Sequence, residues 1–96
     1  MTVQECINSI GAKAKVCKGF KIGKTGQTKD ERFNQEYSKS YVSIDEVCYS
    51  DTESTIDRYE TEIIKFFKDY PNNDNKQDGG GEMTNSNRYI VYVVWR

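Results

Sequence analysis

The sequence predicts an α+β fold in a single domain spanning residues 1–96: a small three-stranded sheet flanked by about three helices, with room for a short extra hairpin strand. Three observations lead there. An amphipathic helical repeat fills residues 53–69, strand-like stretches occupy 14–22, 41–49 and 89–95, and a chain of 96 residues suits one modest core.

The elements follow in order. Thr2 can cap a helix over residues 3–10, where Val3, Cys6, Ile7 and Ile10 recur at helical spacing and Gly11 is placed to end it. From Ala14 the pattern alternates: Ala14, Val16, Phe20 and Ile22 on one side, Lys13, Lys15, Cys17 and Lys21 on the other. This reads as a half-buried strand or hairpin with a basic outer face. Gly23 and Gly26 bracket a turn, and Thr28 then caps a helix through about Tyr37, with Asp30 and Glu31 complementing its N-terminal dipole and Arg32 in its first turn. Residues 41–49 are rich in strand formers.

Asp51 or Thr52 opens the clearest helix, residues 53–69, whose apolar stripe holds Ile56, Tyr59, Ile63, Phe66 and Phe67. Glu60 breaks the pattern, because it follows Ile56 by four residues and precedes Ile64 by four, so its carboxylate falls on or beside the buried stripe. Pro71 stops the helix, and residues 71–87 form a long polar segment with three consecutive glycines, the kind of connection that is functional or mobile more often than a plain tether. Residues 89–95 are apolar on both alternating faces, as in a central strand covered on both sides.

Composition removes several function classes. With no histidine, Ser-His and Cys-His nucleophile pairs and imidazole-bound metals are excluded, so any general base is Tyr, Lys, Asp, Glu or a thiolate. Cys6, Cys17 and Cys48 are odd in number and lack a C-x-x-C pair, which fits small buried side chains better than a disulfide framework or thiolate zinc site. No apolar run approaches the roughly 20 residues of a membrane span. The N-terminus lacks a signal-peptide pattern, so a soluble cytoplasmic protein with no membrane partner is expected.

Net charge is −1, but residues 1–40 hold eight Lys/Arg against four Asp/Glu. That excess can attract a phosphate backbone, which makes Lys13, Lys15, Lys24 and Lys29 the nucleic-acid-binding candidates; an ordinary solvated surface gives the same count. Gly19 to Thr25 imitates a phosphate loop, but only three residues separate Gly19 from Gly23 where that loop needs four. Asp74, Lys76, Asp78 and Gly79 imitate a calcium loop with an incomplete oxygen cage.

The constellation that remains is Lys21-Ile22-Gly23, Arg32 eleven residues after Lys21, a strand, and Glu60 in Glu-x-x-Ile-Ile-Lys on the next helix. In type, order and spacing, residues 18–70 resemble the second half-motif, arginine helix and glutamate helix of the GIY-YIG nucleases, in the branch carrying Lys-Ile-Gly. The resemblance implies a GIY-YIG-like fold and hydrolysis of DNA phosphodiester bonds. It assigns a divalent ion, Mg2+ or Mn2+, to Glu60, phosphate contact to Arg32, and water activation to Lys21, with Asn75 as the family's late asparagine.

The family's first strand, which carries Gly-Ile-Tyr, has no counterpart before Lys21: the matching positions hold Ile10 and Gly11, and residues 1–36 contain no tyrosine. The expectation is a circular permutation in which the C-terminal strand supplies Tyr89 or Tyr92. Because these residues are three apart they face opposite sides of a strand, so only one can serve. A catalytically degenerate module that binds nucleic acid or assembles through a strand edge is the alternative. If the chain cleaves, sequence specificity is expected from a homo-oligomer, a separate DNA-reading partner, or the loop around Asn72 to Asn87.

Overall fold

In a computed structural model, which describes residues 2–76, 83 and 85–96, the chain runs α1 (Val3–Val16), β1 (Phe20–Thr25), α2 (Lys29–Arg32), a π-helical turn (Phe33–Tyr37), β2 (Ser43–Ser50), α3 (Glu53–Phe67) and β3 (Tyr89–Trp95). The α+β class and the three-stranded sheet are as the sequence implies.

The first helix corrects the sequence reading. It starts as expected, with a capping box in which the Thr2 hydroxyl accepts from Glu5 N–H and the Glu5 carboxylate accepts from Thr2 N–H. It does not stop at Gly11. Ile10 and Ala14 lie one turn apart on the face already buried by Cys6, and closing that face offsets the roughly 1 kcal/mol that a helical glycine costs. The alternation across Ala14 and Val16 is therefore coincidental: Ala14 is fully buried and Val16 is 82% exposed, as one helix face and its opposite require. The extra hairpin strand is absent because its residues are helical, and β1 begins only at Phe20.

The sheet is antiparallel throughout, in the order β1-β3-β2, with β3 central. Every residue of β3 is buried, which explains why Tyr-Ile-Val-Tyr-Val-Val-Trp shows no polar face. Its two sides carry separate clusters. Tyr89, Val91, Val93 and Trp95 join Phe20, Ile22 and the inner faces of α1 and α3. Ile90, Tyr92 and Val94 pack with Tyr37 and Ile44, against Phe33 and Tyr41. A register shift between Glu46 and Cys48 bends β2.

The polar segment after Pro71 begins as a cover for the edge of β1. Phe20 N–H donates to Asn72 O at 3.1 Å and Asp74 N–H to Phe20 O at 2.7 Å. Asn75 continues the ladder with its side chain: its Oδ1 accepts from Ile22 N–H at 2.9 Å and its Nδ2 donates to Ile22 O at 2.8 Å. Edge strands are normally blunted in such ways. The glycine run 79–81 and the calcium-loop positions Asp78 and Gly79 lie outside the described residues. Among the described residues no helix is long and apolar enough to cross a membrane.

Candidate active-site cleft

The alternation of β1 sends consecutive side chains to opposite faces of the sheet. Phe20, Ile22 and Lys24 point toward α3, while Lys21 and Gly23 face the π turn. At this edge a cleft of about 870 Å³ takes side chains from both faces, among them Lys21, Arg32, Tyr37, Glu60, Asn75 and Tyr92.

On the π-turn face, Gly23 pairs in register with Tyr92. A Cβ at position 23 would overlap the Tyr92 phenol, so the glycine of Lys-Ile-Gly is the space into which that ring lies. The Tyr92 hydroxyl is 2.8 Å from the Tyr37 hydroxyl and accepts a longer bond, 3.4 Å, from Arg32 Nε. Tyr37 reaches this point because the helix widens after Arg32, where Ser38 N–H bonds to Phe33 O, five residues back. Arg32 also pairs with Glu36 at 2.7 Å, and Lys21 Nζ stands 5.6 Å from the centre of the Tyr37 ring.

Burial, reinforced by the bond to Tyr92, holds the Tyr37 phenol well above its usual range, so it remains neutral. Burial opposes the charge on Arg32, but Tyr92, Glu36 and Tyr37 outweigh it and the guanidinium is the more firmly protonated. The site thus keeps a fixed cation beside two hydroxyls.

On the α3 face, Glu60 lies on the apolar stripe as its spacing requires, 6% exposed between Ile56 and Ile64. Lys24 Nζ is 3.8 Å from Glu60 Oε1 and is hydrogen-bonded to Asp57 Oδ1, one turn earlier on the helix. Asp57 was not singled out in the sequence, although its i, i+3 relation to Glu60 was a usable signal.

At the outer rim Arg96 makes two bonds of 2.8 Å to Asp74, which also accepts from the Tyr41 hydroxyl at 2.9 Å. The Arg96 bonds hold the Asp74 carboxyl below the usual range, while burial and the bond to Asp74 raise Tyr41 to about 12. Nothing in the sequence pointed to Arg96, whose partner is 22 residues away.

The structure separates the two C-terminal tyrosines as strand geometry demands. Tyr92 lines the cleft, whereas Tyr89 belongs to the opposite cluster, its hydroxyl accepting from Ser86 N–H. Asn75 is present at the rim, but its amide is used on the backbone of Ile22.

The basic candidates do not gather here. Lys24 has a side chain only 5% exposed and is engaged with acids. Lys13 sits over the Trp95 ring and 3.7 Å from Asp45, and Lys15 lies on α1 beside an apolar groove with Phe66 and Tyr70. Lys29 opens α2 and does not line the cleft.

Chemically, one wall presents Lys21, Arg32 and two phenols to an anion, and the other presents the Glu60 carboxylate with the Lys24 ammonium beside it, while Asp57, bonded to Lys24, stands outside the lining. No family model, no curated protein and no solved structure matches the chain.

Proposed function

We propose that the chain is an endonuclease-like domain of GIY-YIG type that hydrolyses DNA phosphodiester bonds in this cleft. The observation that carries the reading is the position of Tyr92: the phenol of the C-terminal strand lies over Gly23 of the Lys-Ile-Gly strand and beside Arg32. A circular permutation would deliver a first-strand tyrosine to that place.

In this reading Arg32 binds a non-bridging phosphate oxygen, and its charge is worth most where developing negative charge is held against a dry wall. The Lys21 side chain and the Tyr92 hydroxyl, both lining the cleft, orient the attacking water. Glu60, with Asp57 one turn away, would hold Mg2+ or Mn2+ once Lys24, which engages both carboxylates, had given way, since such ions bind through one or two carboxylates and fill their other positions with water and substrate oxygens. When bound, the ion supplies neutralisation of charge on the departing oxygen. Among the described residues no group of three or more Cys, Asp or Glu side chains is placed to hold a metal ion.

A plasmid-nicking assay with Mg2+ or Mn2+ on wild type and Glu60→Ala tests the proposal. Nicking by the wild type that is lost in the variant is expected. Salt-sensitive DNA binding with no nicking would replace it with the second reading, a degenerate nucleic-acid-binding module, which the ion pair between Lys24 and Glu60 favours. Self-association without DNA binding would instead indicate an assembly role.

A further inference from the structure

We infer that Lys24 is an internal cation that holds the Glu60 site closed, and that a divalent ion reaches Glu60 only by displacing it. The inference rests on the functional reading above for its choice of ion, and on the ion-pair geometry for everything else.

Lys24 belongs to the inward face of β1, in line with Phe20 and Ile22, so its stem is committed to the interior. Its ammonium ends between Asp57 and Glu60, bonded to the first and 3.8 Å from the second. The Lys24 and Glu60 side chains are 5% and 7% exposed. Charges so buried persist when each meets an opposite charge, and removing one member leaves the other at a large desolvation penalty. The two carboxylates, three residues apart on α3, therefore face a cation that is part of the chain.

An ammonium and a divalent ion repel each other, and beside Lys24 and Glu60, 5% and 7% exposed, that repulsion is only partly screened, so each weakens the other's hold on Glu60. Lys24 and Glu60 both line the cleft, so an ion entering there meets the pair directly. Binding the ion then means moving the ammonium off Glu60 and into the cleft that both residues line. An arriving phosphate would offer the displaced ammonium an anion, so ion and substrate would bind with positive coupling. Lys24 is thus a positioning residue that sets how tightly the site takes a metal.

The test is Mn2+ binding to the full chain, followed by electron paramagnetic resonance, for wild type, Lys24→Met and Lys24→Met with Glu60→Gln. Lys24→Met is expected to bind Mn2+ about tenfold more tightly than wild type or better, within the range usual for coupled ligands, and the second substitution is expected to abolish the gain. The melting temperature of Lys24→Met should rise with Mn2+ while that of the wild type moves little. Binding by Lys24→Met no tighter than wild type overturns the inference.

The wild-type chain gives an independent readout should the variant fold poorly. Acetylation by an amine reagent, followed by mass spectrometry, should be slow at Lys24 compared with exposed Lys15, and Mn2+ should speed it at Lys24 alone. Protection of Lys24 that Mn2+ does not alter also overturns it. These are binding readouts, so a failure to nick DNA leaves them intact and bears only on the functional reading.

Discussion

At the scale of single residues, the cleft depends on one missing methyl group. Gly23 is needed because the Tyr92 ring crosses the strand at that point, and Tyr92 in turn links Tyr37 to Arg32. Gly23→Ala should displace the phenol and destabilise the fold by about 1–3 kcal/mol, the usual penalty of overpacking, measured by denaturant unfolding. Tyr92→Phe keeps the ring and removes only the hydroxyl, so it should cost about 1–2 kcal/mol by leaving the buried Tyr37 hydroxyl short of a partner. If Tyr92 also orients water, Tyr92→Phe should lower nicking well beyond that loss of stability, with the fraction folded checked by circular dichroism. The sequence named Tyr89 and Tyr92 as alternatives because a strand has two faces and a lone strand does not say which is which. Packing chose Tyr92 by placing it in register with Gly23.

At the scale of elements, the edge of β1 is sealed by residues 72–75, and Asn75 acts there as a surrogate strand residue. Asn75→Ala would strip both partners from Ile22 and is expected to destabilise by about 1–3 kcal/mol, with faster amide exchange at Ile22 as the specific signature. The same strap is fastened by Asp74 to Arg96 and Tyr41, which makes it pH-sensitive at both ends. Asp74 has a depressed pKa in the folded chain, so its contribution is present above the ordinary Asp value and disappears as pH falls through the folded value. Tyr41 is raised from 10 to about 12, so the folded chain holds its proton longer and stability falls as pH rises across that window. Melting curves should show the acid loss reduced in Asp74→Asn and the alkaline loss reduced in Tyr41→Phe.

At the scale of the whole molecule, charge is spent internally more than its distribution along the sequence suggests. Lys13 and Lys24 are paired with acids, and neither Lys15 nor Lys29 lines the cleft. If DNA binds in the cleft through Lys21 and Arg32 with one or two neighbours, the slope of log K against log salt should be about −2.7 to −3.6, far shallower than for a protein with a broad basic face. Arg32→Ala should weaken binding to all sequences alike and reduce the magnitude of that slope by about one. A fluorescence-anisotropy titration at several salt concentrations would show both effects.

What the sequence determined by itself is the local part of the fold: the caps at Thr2 and Thr28, the α3 stripe with Glu60 set into it, and the wholly apolar β3. Each follows from the period of one segment and needs no knowledge of its neighbours. The continuation of α1 through Gly11 was hidden because a glycine's local preference is weak, and the burial that overrides it comes from contacts with α3 and β2. The identity of the cleft tyrosine, the use of Asn75 as an edge strap, and the engagement of Lys24 with Asp57 and Glu60 join residues between 33 and 69 positions apart. Those were decided by the tertiary structure alone, because whether a polar group faces water, a backbone edge or an opposite charge depends on which distant segment packs against it.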